Sequence, residues 1–84
     1  MSSNTLAKAI QLREQKQYAQ AETLLRELLT SNPTDPQVNY HLAWTCDAQG
    51  KESDAVPFYK TAITNGLSGE DLRRALLGLL WVSW

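Results

Sequence analysis

The stretch Tyr40–Tyr59, YHLAWTCDAQGKESDAVPFY, decides the fold. Its first half spaces Tyr40, Ala43 and Trp44 as a helix does, three and four residues apart. Gly50 follows, the residue that most easily adopts the left-handed conformation closing a helix. A second helical pattern then enters through Ala55 and carries Phe58 and Tyr59. Moved back by 34 residues, the stretch finds a weaker copy of itself. Ala43 then overlies Ala9, Gln49 overlies Gln15, Ala55 overlies Ala21 and Thr64 overlies Thr30. Bulky positions coincide as well: Tyr40 and Trp44 with Leu6 and Ile10, Phe58 and Tyr59 with Leu24 and Leu25, Ile63 with Leu29. Moved forward, the stretch finds half of a third copy.

Outward from this centre the chain reads as five helices. Ser2, Ser3 and Asn4 are cap-type residues before a periodic segment holding Leu6, Ala9, Ile10 and Leu12, which predicts a helix from about Asn4 to Gln15. After a turn at Lys16 and Gln17, residues Tyr18, Ala21, Leu24, Leu25, Leu28 and Leu29 form an apolar stripe. That second helix should end near Thr30, before Ser31-Asn32-Pro33. Asp35 is the expected N-cap of the third helix, with Pro36 at its first position, and Gln49 its expected end. If Ser53 is the N-cap of the fourth helix, Pro57 falls in the opening turn and costs at most one backbone bond. If the helix starts earlier, a kink is predicted at Pro57. The helix should stop at Asn65-Gly66. Ser68 to Asp71 reads as a capping box opening a fifth helix, Leu72 to Trp84. Its apolar side chains run nearly all the way round, which predicts burial on all sides. No strand pattern occurs, so the fold class is all-α.

The totals exclude many functions. Eighty-four residues make one small domain, 1–84, of marginal stability. The one cysteine, Cys46, leaves no internal disulfide, and with one histidine there are too few ligands for a zinc site. Oligomerisation is the remaining means of stabilising so small a core. A net charge of −1 offers no footprint for nucleic acid or an anionic membrane. The first residues lack the apolar region of a signal peptide, and no run approaches the ~20 apolar residues of a membrane span. The expectation is a cytoplasmic domain.

A 34-residue period of helix, turn and helix resembles the tetratricopeptide repeat family. In the middle copy Leu42-Ala43 stand for the family's Leu-Gly pair, Cys46 for its tyrosine, Ala55 for its second-helix alanine and Tyr59 for the following aromatic. Asn39 replaces the signature tryptophan, and Leu67 falls where the closing proline would be. The first copy keeps Ala9, Ala21, Leu25 and Pro33 but has Thr5 and Lys8 at two apolar signature positions. In the third, Leu77-Gly78 restores the pair and Trp81 replaces the tyrosine, after one extra loop residue. The resemblance implies a right-handed stack of helical hairpins: repeats at about 2–35 and 36–69 and a half repeat at about 70–84. It also implies a protein-interaction scaffold that is not an enzyme. The wording of residues 42–79 is similar to short bacterial members of the family, which implies a bacterial, cytoplasmic, dimeric protein.

In that family the first helix of each repeat lines a concave groove that takes peptides. Transferred by position, the groove would present Leu6, Ile10, Arg13 and Glu14, then Tyr40, His41, Trp44, Asp47 and Ala48, then Leu76 and Leu79. Tyr40 and Trp44, four apart, would form one aromatic shelf facing outward, the usual material of binding hot spots. The alternative is that neighbouring helices cover Trp44 as core. Some members hold a terminal carboxylate in a Lys, Asn and Arg clamp. Leu6, Ile10, His41 and Leu76 or its neighbours fill those positions here, so the clamp is absent and an apolar segment or helix is the expected ligand.

Cys46, His41 and Asp47 do not make a nucleophile. His41 and Cys46 are five apart on a helix and point away from each other, and Cys46 holds a packing position. With no paired carboxylates, phosphate loop or metal spacing, no cofactor, metal or catalytic residue is expected. The last helix lacks the polar face of a membrane-surface helix, so membrane binding is not expected. The chain stops one helix into a third repeat, leaving an apolar end where repeat arrays carry a polar cap. Leu77, Leu80, Trp81, Val82 and Trp84 are therefore the expected self-association surface, giving a homodimer. The alternative is a truncated structural fragment with no ligand of its own.

Overall fold

Five helices, α1 (Ser2–Glu14), α2 (Tyr18–Ser31), α3 (Pro36–Ala48), α4 (Glu52–Thr64) and α5 (Gly69–Val82), follow one another in a computed structural model that describes residues 2–82, with side chains for 5–79. Among the described residues there is no strand. Each helix packs on the next in sequence, and α1 also reaches α3. The result is an all-α stack of helical hairpins.

Three helix ends close in the same way. The N–H of Lys51 donates to Cys46 O at 2.9 Å and that of Gly50 to Asp47 O at 3.0 Å, a Schellman closure with Gly50 at φ +79°. At the end of α4, Leu67 N–H donates to Ala62 O and Gly66 N–H to Ile63 O. At the end of α1, Gln17 N–H donates to Leu12 O and Lys16 N–H to Arg13 O, with Lys16 at φ +65° where the second copy has glycine. A side chain in that conformation costs roughly 1–2 kcal/mol. The repeat thus preserves the turn even where it does not preserve the residue.

Asp35 caps α3 as expected. Its Oδ1 accepts from the N–H groups of Gln37 (2.9 Å) and Val38 (3.2 Å), and Pro36 opens the helix. Asn39, in the signature tryptophan's place, is buried and spends its amide on the incoming loop, donating to Pro33 O at 3.1 Å and Asp35 O at 2.8 Å. Glu22 ties α2 to the end of α3. Its carboxylate accepts from Gln49 Nε2 (2.8 Å), Lys51 Nζ (3.2 Å) and Arg26 Nε (2.7 Å). These bonds, that of Gln49 foremost, hold the Glu22 carboxyl down at about 2.

The core follows the small residues. Ala9, Ala21, Ala43, Ala55, Ala62 and Ala75 are fully buried, with Leu25, Leu42, Cys46, Tyr59 and Leu67 between them. At Gly78 the approach is closer still: a Cβ there would stand 2.9 Å from Tyr59 Cζ.

Three expectations are corrected. Ser53 lies inside α4, and the helix begins after Lys51, whose carbonyl accepts from Ala55 N–H at 3.1 Å; Pro57 is therefore interior rather than in the opening turn. Ser68 and Asp71 do not form the capping box, because Asp71 Oδ2 accepts from Gln37 Nε2 at 3.2 Å, a bond joining the starts of α3 and α5. The helix buried nearly all round is α3, not α5. Helices α1, α2 and α4 surround α3, whereas α5 packs mainly on α4 and leaves Leu76 49% and Leu77 53% exposed.

Candidate functional site

The facing first helices of the repeats, α1 and α3, are joined by a stack of three side chains. Arg13, from the last turn of α1, lays its guanidinium over the Trp44 ring, with Cζ 3.8 Å from the centroid. Its Nη1 donates to His41 Nδ1 at 2.8 Å. A guanidinium can only donate, so Nδ1 accepts and the His41 proton sits on Nε2. The His41 and Trp44 rings lie nearly parallel, 14° apart with centroids 6.3 Å apart, and Tyr40 sits edge-on to His41. Helical spacing of 40, 41 and 44 puts these rings on one side of α3, where the end of α1 covers them.

Burial sets the protonation of this group. His41 is pulled down to about 4, first by burial and then by the Arg13 charge. Burial also lowers Arg13, which remains a cation. Tyr40 and Tyr59 are both raised, chiefly by burial, and stay neutral phenols. Tyr59 donates to Asp47 Oδ2 at 3.4 Å. Tyr40 Oη is buried without a hydrogen-bond partner; Arg74, on the same cavity wall, does not reach hydrogen-bonding geometry with it.

Trp44 divides two open cavities. One, of about 220 Å³, lies between α3, α4 and α5 and is lined by Tyr40, Trp44, Asp47, Tyr59, Arg74 and Gly78. The other, of about 260 Å³, lies between α1, α2 and α3 and is lined by Arg13, Glu14, Lys16, Tyr18, Trp44 and Ala48. Half-buried Trp44 is the ridge common to both.

Of the residues expected in the groove, Arg13, Glu14, Tyr40, Trp44, Asp47 and Ala48 come together at these cavities. Tyr40 and His41 do not face outward as the shelf reading required: they are 1% and 8% exposed, and only the Trp44 part of the shelf is open. Arg13 is likewise 8% exposed. Leu6 and Leu79 pack on the core, and neither they, Ile10 nor Leu76 lines either cavity. Cys46 is a fully buried thiol, raised by that burial. Leu77 is exposed, while the side chains of Leu80, Trp81, Val82 and Trp84 lie outside the described residues. Lys16, Tyr18, Tyr59 and Arg74 line the cavities without having been expected there. The sequence places Lys16 in a turn and Tyr18 at a helix start, and only their position beside Arg13, across from Trp44, marks them as cavity residues.

Among the described residues no helix is long and apolar enough to cross a membrane, and no group of three His, Cys, Asp or Glu could hold a metal. Residues 12–68 match the family model described as Tetratricopeptide repeat. The chain matches no curated protein and no solved structure.

The depressed His41 makes stability pH-dependent with a definite sign. Its folded value of about 4 lies below the unfolded 6.5, so the unfolded chain binds the extra proton. Stability is complete above pH 6.5 and falls as the pH drops towards 4, by about 3 kcal/mol in all. Glu22, depressed from 4.5 to about 2, adds its own loss only below 4.5. Urea denaturation between pH 7.5 and 4.5 should show the decline in the wild type and a nearly flat profile for His41→Gln.

Proposed function

The chain belongs to the tetratricopeptide repeat family, whose repeats generally mediate protein–protein interaction, and from that premise we propose that it is a scaffold gripping a segment of a partner protein across Trp44. The observation that carries this reading is the half-buried Trp44 ridge, held by Arg13 and His41 between two cavities. A large aromatic packed against Arg13 and His41 loses little further entropy when a ligand covers it, and such residues dominate binding energies. The segment binds as a helix or extended strand with apolar side chains against the ridge. The family is typically non-enzymatic, and scaffolding needs neither cofactor nor metal. We place the protein in the bacterial cytoplasm on the resemblance alone.

Self-association is a second part of the proposal. Leu76 and Leu77 are neighbouring exposed leucines on a helix packed mainly against α4. They support a homodimer formed through α5, with Leu80, Trp81, Val82 and Trp84 continuing the same apolar sequence. The rival reading, a structural fragment without a ligand, has no use for the ridge.

Affinity capture from a bacterial lysate with wild type and Trp44→Ala, both verified as helical by circular dichroism, separates the two. The proposal expects proteins retained by the wild type and lost by the variant; identical retention by both would refute the groove. Sedimentation velocity should show a wild-type dimer and a Leu77→Glu monomer, and a stable monomeric wild type would remove the self-association part.

A further inference from the structure

The cavity between α1, α2 and α3 contains a buried cation that forms no ion pair among the described residues, although the Glu14 carboxylate lines the same cavity and acts on it from a distance. Arg13 is 8% exposed, and among the described residues it makes no ion pair. A guanidinium has five N–H donors, and the one hydrogen bond that the Arg13 side chain makes among the described residues is to neutral His41. Trp44 covers one face of the group, while the residue lines the open cavity. Burying a cation without an ion pair is unfavourable, and an anion entering the cavity would relieve that cost.

Resting on the groove reading above, we infer that this cavity seats the side-chain carboxylate of an aspartate or glutamate in the bound segment. Arg13 provides the buried hydrogen-bond donors, Lys16 adds a second cation at the rim, and the Tyr18 hydroxyl is a further donor on the same wall. Glu14 lines the cavity too, leaving a balance of one positive charge among Arg13, Lys16 and Glu14. That suits a carboxylate monoanion rather than a phosphate, which carries nearly two charges. Lys16 gives an independent reason. It holds a left-handed backbone, φ +65°, at the turn position where the second and third closures use glycine. Strain of this kind is tolerated where a side chain is needed. The cavity on the far side of Trp44, with both Arg74 and Asp47 on its wall, carries no such excess.

Twelve-residue peptides are selected from a phage-displayed random library on the full chain. The strongest binder is then synthesised with an amidated C-terminus in glutamate, glutamine and phosphoserine forms at its acidic position. Amide and indole NMR shifts locate the binding, and fluorescence anisotropy measures it at low and high salt. The expected result is an acidic position in the selected peptides, shifts centred on Arg13, Lys16, Trp44 and Ala48, and about tenfold weaker binding of the glutamine form. Lys16→Gly removes the rim cation and relieves the turn. It should melt no lower than wild type yet bind the glutamate form about threefold more weakly, without change for the glutamine form. Selected peptides that bind across Trp44 with no acidic preference would overturn the carboxylate subsite and leave the groove standing. Tighter binding of the phosphoserine form would overturn the choice of carboxylate. Failure of every peptide to shift Trp44 would overturn both readings.

Discussion

Helix spacing is the constraint on which the rest depends, and alanine methyls set it. Six alanines, from Ala9 to Ala75, have no exposed surface, and at Gly78 even a methyl would meet the Tyr59 ring. Larger side chains at such crossings would force the helices apart and forfeit the contact energy of the leucines and tyrosine between them. Because the axes approach closely, an arginine at the end of α1 can reach a tryptophan on α3. The proposed binding face is therefore a product of the same small residues that close the core.

Across that narrow separation Arg13 links two repeats through a ring face and a ring nitrogen rather than a carboxylate. A cation over an indole contributes about 0.5–2 kcal/mol, depending on how dry the site is. Burial, with the Arg13 charge beside it, keeps the His41 imidazole neutral, and the hydrogen bond from Arg13 fixes its tautomer. In return the imidazole and Tyr40 support Trp44 from its own helix. Fold and site are coupled here: the groups that fasten α1 to α3 also orient the ridge a partner would cover.

Much of the architecture is legible in the sequence because its signals are local. Asp35-Pro36, Gly50 and Asn65-Gly66 mark helix ends by backbone chemistry, and the 34-residue alignment puts an alanine on an alanine at two of the buried positions. What escapes is decided by neighbours distant in sequence. Spacing places Tyr40, His41 and Trp44 on one side of α3, but only the position of α1 shows that the first two are covered. Arg13 reads as an open groove residue, since nothing in its own helix reveals that its guanidinium lies buried over Trp44. Asp71 has the spacing for a cap but bonds to Gln37, and the fifth helix has an apolar composition without neighbours enough to bury it.

The most direct test of the central link is the protonation state of one ring. Two-dimensional ¹⁵N NMR of the His41 side chain at pH 7, with the Arg13 Nη signals observed in the same sample, reads both partners of the bond. The account predicts a neutral Nε2–H tautomer with Nδ1 shifted as a hydrogen-bond acceptor, persisting unprotonated at pH 5.5. An imidazolium at that pH, or a proton on Nδ1, would contradict it, because neither can accept from a guanidinium.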